Sequence, residues 1–314
     1  MHHIRSHGRL LAVLPSATAM STLAGSLTKA FLGLCLTTRC LLVAAQSSKR
    51  GVARSNLLNH QLHALKQGVS WGYNWELDPH FHWGSAGVDF FPMVHNGGFN
   101  RGAGGGQFRA LLGFNEPDIH SQAHLNPWHA ASMWREVEQV ARNYGVQKLV
   151  SPAMCGDIGK GTSWMQQFLD ACNDCRIDAI AVHSYWCSLD GVRNLIEQYK
   201  RFGKKIWLTE FACAAPGVDV SMQGQINFMK DVVPYLEQED MVEKYAWFSY
   251  FTNEWAHGIT NPNPDAGLVD WNGGLSELGR VYVSLGHNTR RLDSNATLEG
   301  SAGPLQNMTQ TIFP

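Results

Sequence analysis

Acidic residues are missing from the first fifty positions, which carry Arg5, Arg9, Lys29, Arg39, Lys49 and Arg50 but no Asp or Glu. The remainder holds 19 of the 25 basic residues against all 26 acidic ones, a net of −7 within an overall formal charge of −1. No basic excess is left to grip a phosphate backbone, which argues against nucleic acid as a partner. Long apolar runs are scarce too. Ala30–Leu36 and Leu41–Ala45 are separated by Thr37, Thr38 and Arg39, and the run is too short and too polar for a membrane span. A basic, acid-free start before an acidic body instead reads as a processed leader over residues 1–50. Ala44, Ala45 and Ser47 offer small residues for a signal cut, and Lys49-Arg50 offers a dibasic pair to a furin-like protease.

Cysteine is sparse. Cys35 and Cys40 fall in the leader, leaving Cys155, Cys172, Cys175, Cys187 and Cys213. Five is odd, so at most two disulfides form and one thiol remains. Cys172-x-x-Cys175 has no second CxxC or HxxxH partner, so no metal is expected. No Gly-Lys-Ser/Thr follows the glycine-rich segment, which excludes a phosphate loop. No cofactor is expected either. Two Asn-x-Thr sequons, at Asn295 and Asn307, fit a secreted chain.

What is present points to one α/β core. A chain of 314 residues is long enough for a single (β/α)₈ barrel domain, placed here at 51–285, followed by a polar tail at 286–314. Short apolar runs recur at Gly51–Arg54, Val69–Tyr73, Val88–Val94, Ala110–Phe114, Lys148–Pro152, Ala179–His183, Lys205–Thr209 and Tyr245–Tyr250. Several hardly alternate, as expected of parallel strands buried on both faces. Helical spacing fills the gaps: Pro127–Tyr144 with Asn126 as N-cap, Ser163–Cys172, Gly191–Phe202, Met222–Glu237 and a closing Leu275–Leu285. The stretch from Asn74 to Gly87 is short for a full helix. Six glycines between Val94 and Ala110 leave no room for a helix, and the 95–107 segment reads as a degenerate third unit or as a lid.

Chemistry in such a barrel sits at the C-terminal ends of the strands. Glu116 follows the fourth apolar run and Glu210 ends the seventh, so the two face each other across the barrel mouth. One protonated and one ionised carboxyl are what glycoside cleavage needs, and about 5–5.5 Å between them suits a retaining mechanism. The charge of Glu210 is expected to raise the pKa of Glu116. Asn115 is placed to hydrogen-bond a sugar 2-hydroxyl. Asp118 reads as a turn or cap residue.

Gly-Phe-Asn-Glu-Pro-Asp (113–118), Asp-Ala-Ile-Ala-Val-His-Ser-Tyr (178–185), Trp-Leu-Thr-Glu-Phe-Ala-Cys (207–213) and Val-Ser-Trp-Gly-Tyr-Asn-Trp (69–75) together resemble glycoside hydrolase family 128. The resemblance spans roughly residues 50–285, with the four motifs in the family's order. It implies a retaining barrel with acid/base Glu116, nucleophile Glu210 and β-1,3-glucan as substrate. The departures are the glycine-rich segment, where the family usually has a helix, and Ser184, where an aromatic residue is common.

Around the glutamates, His183 and Tyr185 are expected to orient the nucleophile, with a core histidine as the plainer role for His183. Trp71, Trp75, Trp186, Trp247 and Tyr250 are candidate stacking platforms, at least two of them simply core. Asn74 binds a hydroxyl or caps a turn. The expected protein is a secreted, monomeric endo-β-1,3-glucanase of the cell wall, meeting β-glucan polysaccharide or oligosaccharide and no membrane. A non-catalytic β-glucan-binding wall protein, or the same hydrolysis of another β-glycan, are the alternatives.

Overall fold

The computed structural model describes residues 46–54, 57–80, 83–97, 107–215, 217–249, 266–270 and 272–285. The leader through residue 45, the glycine-rich stretch 98–106, Tyr250, most of the loop after it and the tail with both sequons lie outside the described residues.

Eight parallel strands form one sheet: β1 Arg50–Ala53, β2 Trp71–Tyr73, β3 Asp89–Phe90, β4 Ala110–Leu112, β5 Lys148–Met154, β6 Ala179–Ser184, β7 Lys205–Phe211 and β8 Val242–Phe248. Their order, β3-β2-β1-β8-β7-β6-β5-β4, is that of a rolled sheet whose first and last members meet. A parallel bridge between Met93 and Leu112 joins those two edges. Val94 N donates to Leu112 O and Leu112 N to Pro92 O, both at 2.9 Å, so the ring closes as an α/β (β/α)₈ barrel. Each of the eight apolar runs in the sequence contains or overlaps one of these strands.

The helices are α1 Asn59–Leu65, α2 Pro127–Asn143, α3 Ile158–Ala171, α4 Leu189–Tyr199, α5 Met222–Gln238 and α6 Glu277–Ser284. Short polar side chains begin five of them. Asn126, Asp157, Ser188, Ser221 and Ser276 each accept a backbone N–H from the first turn. Asp157 explains why α3 starts five residues before the Ser163 expected from apolar spacing. The short link after β2 holds one 3₁₀ turn, Trp83–Ala86, instead of a full helix.

Two apolar cores result, one on each side of the sheet. The outer core lies between strands and helices. The inner one fills the barrel with large rings from β2, the segment after β3, and β7 (Trp71, Tyr73, Phe91, Trp207), balanced by alanines from the other strands (Ala53, Ala110, Ala153, Ala179, Ala181, Ala246). Volume is conserved by pairing big with small, so the barrel is packed and not a pore. Gly51 belongs to that fit: a methyl there would collide with the Trp71 indole.

The dibasic pair expected to mark a processing cut belongs to this barrel. Arg50 opens β1 and is buried, its guanidinium bonded to Tyr245 Oη, Tyr282 O and Glu237 at 2.9, 2.6 and 2.9 Å. Lys49 Nζ donates to the carbonyls of Leu236, Glu237 and Glu239. Gln46 and Ser47 are also tied in, through Val69 and Glu237 respectively. Cleavage after Arg50 would therefore cut within β1. Among the described residues, contacts with the barrel reach back to Gln46, ahead of the expected residue 51.

Candidate active site

Strand alternation carries side chains from the inner core up to the barrel mouth. On the β2 segment, Trp71, Tyr73 and Trp75 share the inner face, and on β6 so do Ala179, Ala181, His183 and Tyr185. Simple alternation would fail at β7. Trp207 points inward, so Glu210, three positions on, would point out to the helices. The pairing with β6 slips there: Val182 pairs with Leu208 but His183 with Glu210, leaving Thr209 as the extra residue of a bulge. That slip turns Glu210 inward while Phe211 stays packed outside against Phe228 and Trp247. Glu116 arrives by another irregularity. Beyond β4 its N–H bonds to Ala153 O, and its φ of +41° is a left-handed value that few non-glycine residues adopt. Trp75, at φ +65°, is a second such residue in the site.

The two glutamates meet at His183. Its Nδ1 lies 2.8 Å from Glu116 Oε1 and 3.5 Å from Glu210 Oε2. One ligating atom of each of the three residues falls within 4.8 Å of the other two, and all three side chains are buried. A ring nitrogen facing two carboxyl groups is best satisfied as a donor, which assigns the proton to Nδ1. Glu210 is held from three more directions. Trp75 Nε1 donates to Oε1 at 2.7 Å, Tyr73 Oη to the same oxygen at 3.2 Å, and Tyr185 Oη to Oε2.

Burial is the main influence on the protons here. It pushes the Glu116 carboxyl above its ordinary value; the His183 hydrogen bond opposes this, and the Glu210 charge adds a smaller push upward. The direction is the one expected from the sequence, but burial leads and Glu210 only assists. For His183, burial pulls downward, but Glu210 and the bond to Glu116 outweigh it and leave the imidazole above its usual value. Tyr73 and Tyr185 are driven well above the phenol range, first by burial and then by Glu210, so both stay donors. Glu116, His183, Tyr73 and Tyr185 thus each hold a proton more firmly than the free side chain would.

Glu116, His183 and Glu210 are also the three ligand-type groups through which a cation would bind. Both Glu210 oxygens already accept O–H or N–H donors, and Glu116 accepts His183, so a cation would have to turn these donors away. The arrangement suits proton transfer better.

Of the other expected residues, Trp75 and Tyr185 reach the cluster directly. Trp186 is half-buried just after β6. Asn115 sits beside Glu116; its Nδ2 reaches Gln122, while its buried Oδ1 has no donor among the described residues. Asn74 takes the turn-capping role, bonding Asp78 O and Glu76 N. Asp118 accepts from Cys155 N and is structural. Two tryptophans are corrected. Trp71, 1% exposed, lies beneath Tyr73 and bonds Lys49 O at the floor of the barrel. Trp247, fully buried, points outward and bonds Ala266 O. Neither can meet a sugar. Tyr73 and Phe248 were missed. Phe248, half-buried, packs edge-on against Trp75 and Tyr185. Parity was the available signal, since Tyr73 lies two residues from Trp75, and Phe248 two from the inward Ala246. His95, above β3 and lowered in pKa by burial, was also missed.

Comparison with known proteins gives a consistent result. Residues 51–282 match the family model described as glycosyl hydrolase catalytic core. Alkali-sensitive linkage protein 1 of Schizosaccharomyces pombe (strain 972 / ATCC 24843) is 31% identical over 252 residues, covering 76% of this chain and 45% of that protein. The chain thus spans less than half the length of this curated relative. A subgroup II endo-β-1,3-glucanase of glycoside hydrolase family 128 from Sorangium cellulosum superposes with TM-score 0.65 at 36% identity, over 75% of this chain and 98% of its own. A subgroup III curdlan-specific exo-β-1,3-glucanase from Blastomyces gilchristii, solved with glucose, gives TM-score 0.56 at 30% identity, over 76% and 98%. The chain belongs to the glycosyl hydrolase catalytic core family, within glycoside hydrolase family 128.

Proposed function

We propose that this protein is a secreted endo-acting hydrolase of cell-wall β-1,3-glucan that works by double displacement. The observation carrying this reading is the Glu116–His183–Glu210 cluster, whose ligating atoms lie within 4.8 Å of one another, a separation that supports a retaining pair (about 5–5.5 Å) over the wider spacing of an inverting one. Glu210 Oε attacks the anomeric carbon as the glycosidic C–O bond breaks, and Glu116 passes its proton to the departing oxygen. Glu116, now ionised, takes a proton from water. The water oxygen attacks the same carbon and releases Glu210.

Each neighbour has a part in that sequence. Tyr73, Trp75 and Tyr185 aim the Glu210 lone pairs and steady its charge before attack. The Nδ1–H of His183 occupies Oε1 of Glu116, which leaves Oε2 to carry the transferable proton. Asn115 Oδ1, a buried acceptor, suits the 2-hydroxyl of the sugar at the cleavage point. Trp75, Phe248 and Trp186 supply apolar surface for sugar faces. β-1,3-Glucan is favoured because the family 128 relatives named above act on it, and endo action because the 36%-identical one is an endo-enzyme. Secretion is supported by two disulfides, Cys172–Cys175 and Cys187–Cys213, which persist in oxidising compartments.

NMR of the first product formed from laminari-oligosaccharides tests the proposal. Early β-anomer is expected. Early α-anomer would exclude double displacement, and no reducing sugar from a folded, glucan-binding protein would favour a non-catalytic binder.

A further inference from the structure

We propose that the Cys187–Cys213 disulfide is a positioning element for catalysis, holding the Tyr185 hydroxyl on Glu210. The inference rests on the reading of Glu210 as nucleophile and goes beyond it by naming what keeps that residue's hydrogen-bond shell in place.

Tyr185 lies just past the end of β6, where regular pairing with β7 stops at Ser184 and Phe211. Beyond that point the two chains run on side by side with weak backbone support. Ala212 N reaches Ser184 O at 3.3 Å and Ala214 N reaches Tyr185 O at 3.2 Å, both at the long end of the hydrogen-bond range. The phenol hydroxyl sits at the tip of a long side chain, so a small backbone rotation at Tyr185 becomes a large displacement at Glu210. Something firmer must fix the segment. The disulfide is placed to do so, two residues after Tyr185 and three after Glu210, bringing Cα atoms 4.4 Å apart across a 26-residue separation.

The bridge is itself anchored to the scaffold. Gln225 of α5, fully buried, clamps Cys213 on both sides: its Nε2 donates to Cys213 O at 2.6 Å, and Cys213 N donates to its Oε1 at 3.1 Å. Ala215 N adds a contact to the Cys187 sulfur at 3.3 Å. A continuous chain of contacts therefore runs from α5 through Gln225, Cys213 and Cys187 to Tyr185 and Glu210. The other disulfide makes an internal contrast. Cys172–Cys175 closes three residues at the C-terminal end of α3, at the barrel end away from the strand tips, and touches none of these groups.

The decisive experiment compares Cys187→Ser/Cys213→Ser, Tyr185→Phe and the triple variant on laminarin. Removing the bridge is expected to lower kcat about tenfold with KM held within about twofold, because a misplaced group costs rate more than binding. In the Tyr185→Phe background the same removal is expected to cost less than about twofold, since the group it positions is already gone. Removing Cys172–Cys175 leaves kcat unchanged. A lowered Tm with unaltered kcat, or losses that multiply fully in the triple variant, overturns the proposal.

If the serine pair does not fold, the folded Cys172→Ser/Cys175→Ser protein is treated with a phosphine, which takes oxygen from water as the bridge opens to two thiols. A reversible fall in kcat is expected, and an unchanged kcat overturns the idea. A crystal structure of the bridge-less protein gives an answer independent of turnover: Tyr185 is expected off Glu210, and an intact contact is fatal. An inactive wild-type enzyme would sink the glucanase reading, whereas an active one indifferent to the bridge sinks this inference alone.

Discussion

At the scale of single residues, the two glutamates have the same chemistry in isolation and are separated by their neighbours. Glu210 is surrounded by donors from Tyr73, Trp75 and Tyr185, whereas Glu116 is buried with one oxygen engaged by His183. Glu210→Ala is expected to abolish laminarin cleavage, and added azide to restore turnover as a glycosyl azide identifiable by mass spectrometry. Glu116→Gln is expected to cost about 10²–10⁴-fold on laminarin and much less on an aryl glucoside whose leaving group needs no proton. Because burial holds the Glu116 pKa up, the alkaline limb of the rate profile should lie above the ordinary carboxylate range and vanish in Glu116→Gln. The same shift has a stability sign. A carboxyl with a raised folded-state pKa supports the fold fully below its unfolded pKa and loses that support as pH rises through the folded value. Thermal melts of Glu116→Gln should therefore match wild type in acid and exceed it near neutrality, by about 2 °C.

At the scale of elements, parity and its interruptions decide which side chains reach the mouth. From Tyr245 onward β8 alternates, so Ala246 and Phe248 face in while Tyr245 and Trp247 face the outer core. Phe248→Ala is expected to raise KM for laminarin several-fold with a small change in Tm. Trp247→Ala should instead cost about 3–5 kcal/mol in denaturant unfolding, because it empties a filled site between Phe211, Phe228 and Tyr282. If the two substitutions exchanged these phenotypes, the assignment of faces would be wrong. The strands were legible because eight apolar runs, each followed by a helix or a turn, leave few other architectures. Boundaries were less so: α3 begins at a capping aspartate that apolar spacing does not register, and the site-forming bulge at Thr209 leaves no mark in the residue pattern.

For the whole molecule, the barrel has two ends with different tasks. The strand tips carry the cluster, and the opposite end is closed by Lys49 and Arg50 with Glu237, Tyr245 and Tyr282. Arg50→Ala leaves Glu237 without the guanidinium it pairs with, and urea unfolding should show a loss of about 3–5 kcal/mol. Native protein should resist trypsin after Lys49 and after Arg50, in contrast to the cleavage expected of a processing linker.

The amino-acid sequence by itself determined the architecture and singled out the two carboxyls proposed to carry the chemistry. Paired glutamates at the ends of two apolar runs, in motifs shared with a known family, fit few reactions besides glycoside cleavage. The count of five cysteines after the leader also allowed at most two bridges and left one thiol, and among the described residues two bridges form and Cys155 is free. Only the folded chain decided which aromatic rings reach the barrel mouth, how the cysteines pair, and that a basic dipeptide shaped like a cleavage signal is the barrel's closed end. Those outcomes depend on register slips, layer depth and contacts between residues nearly two hundred positions apart, and local residue patterns carry no record of such distances.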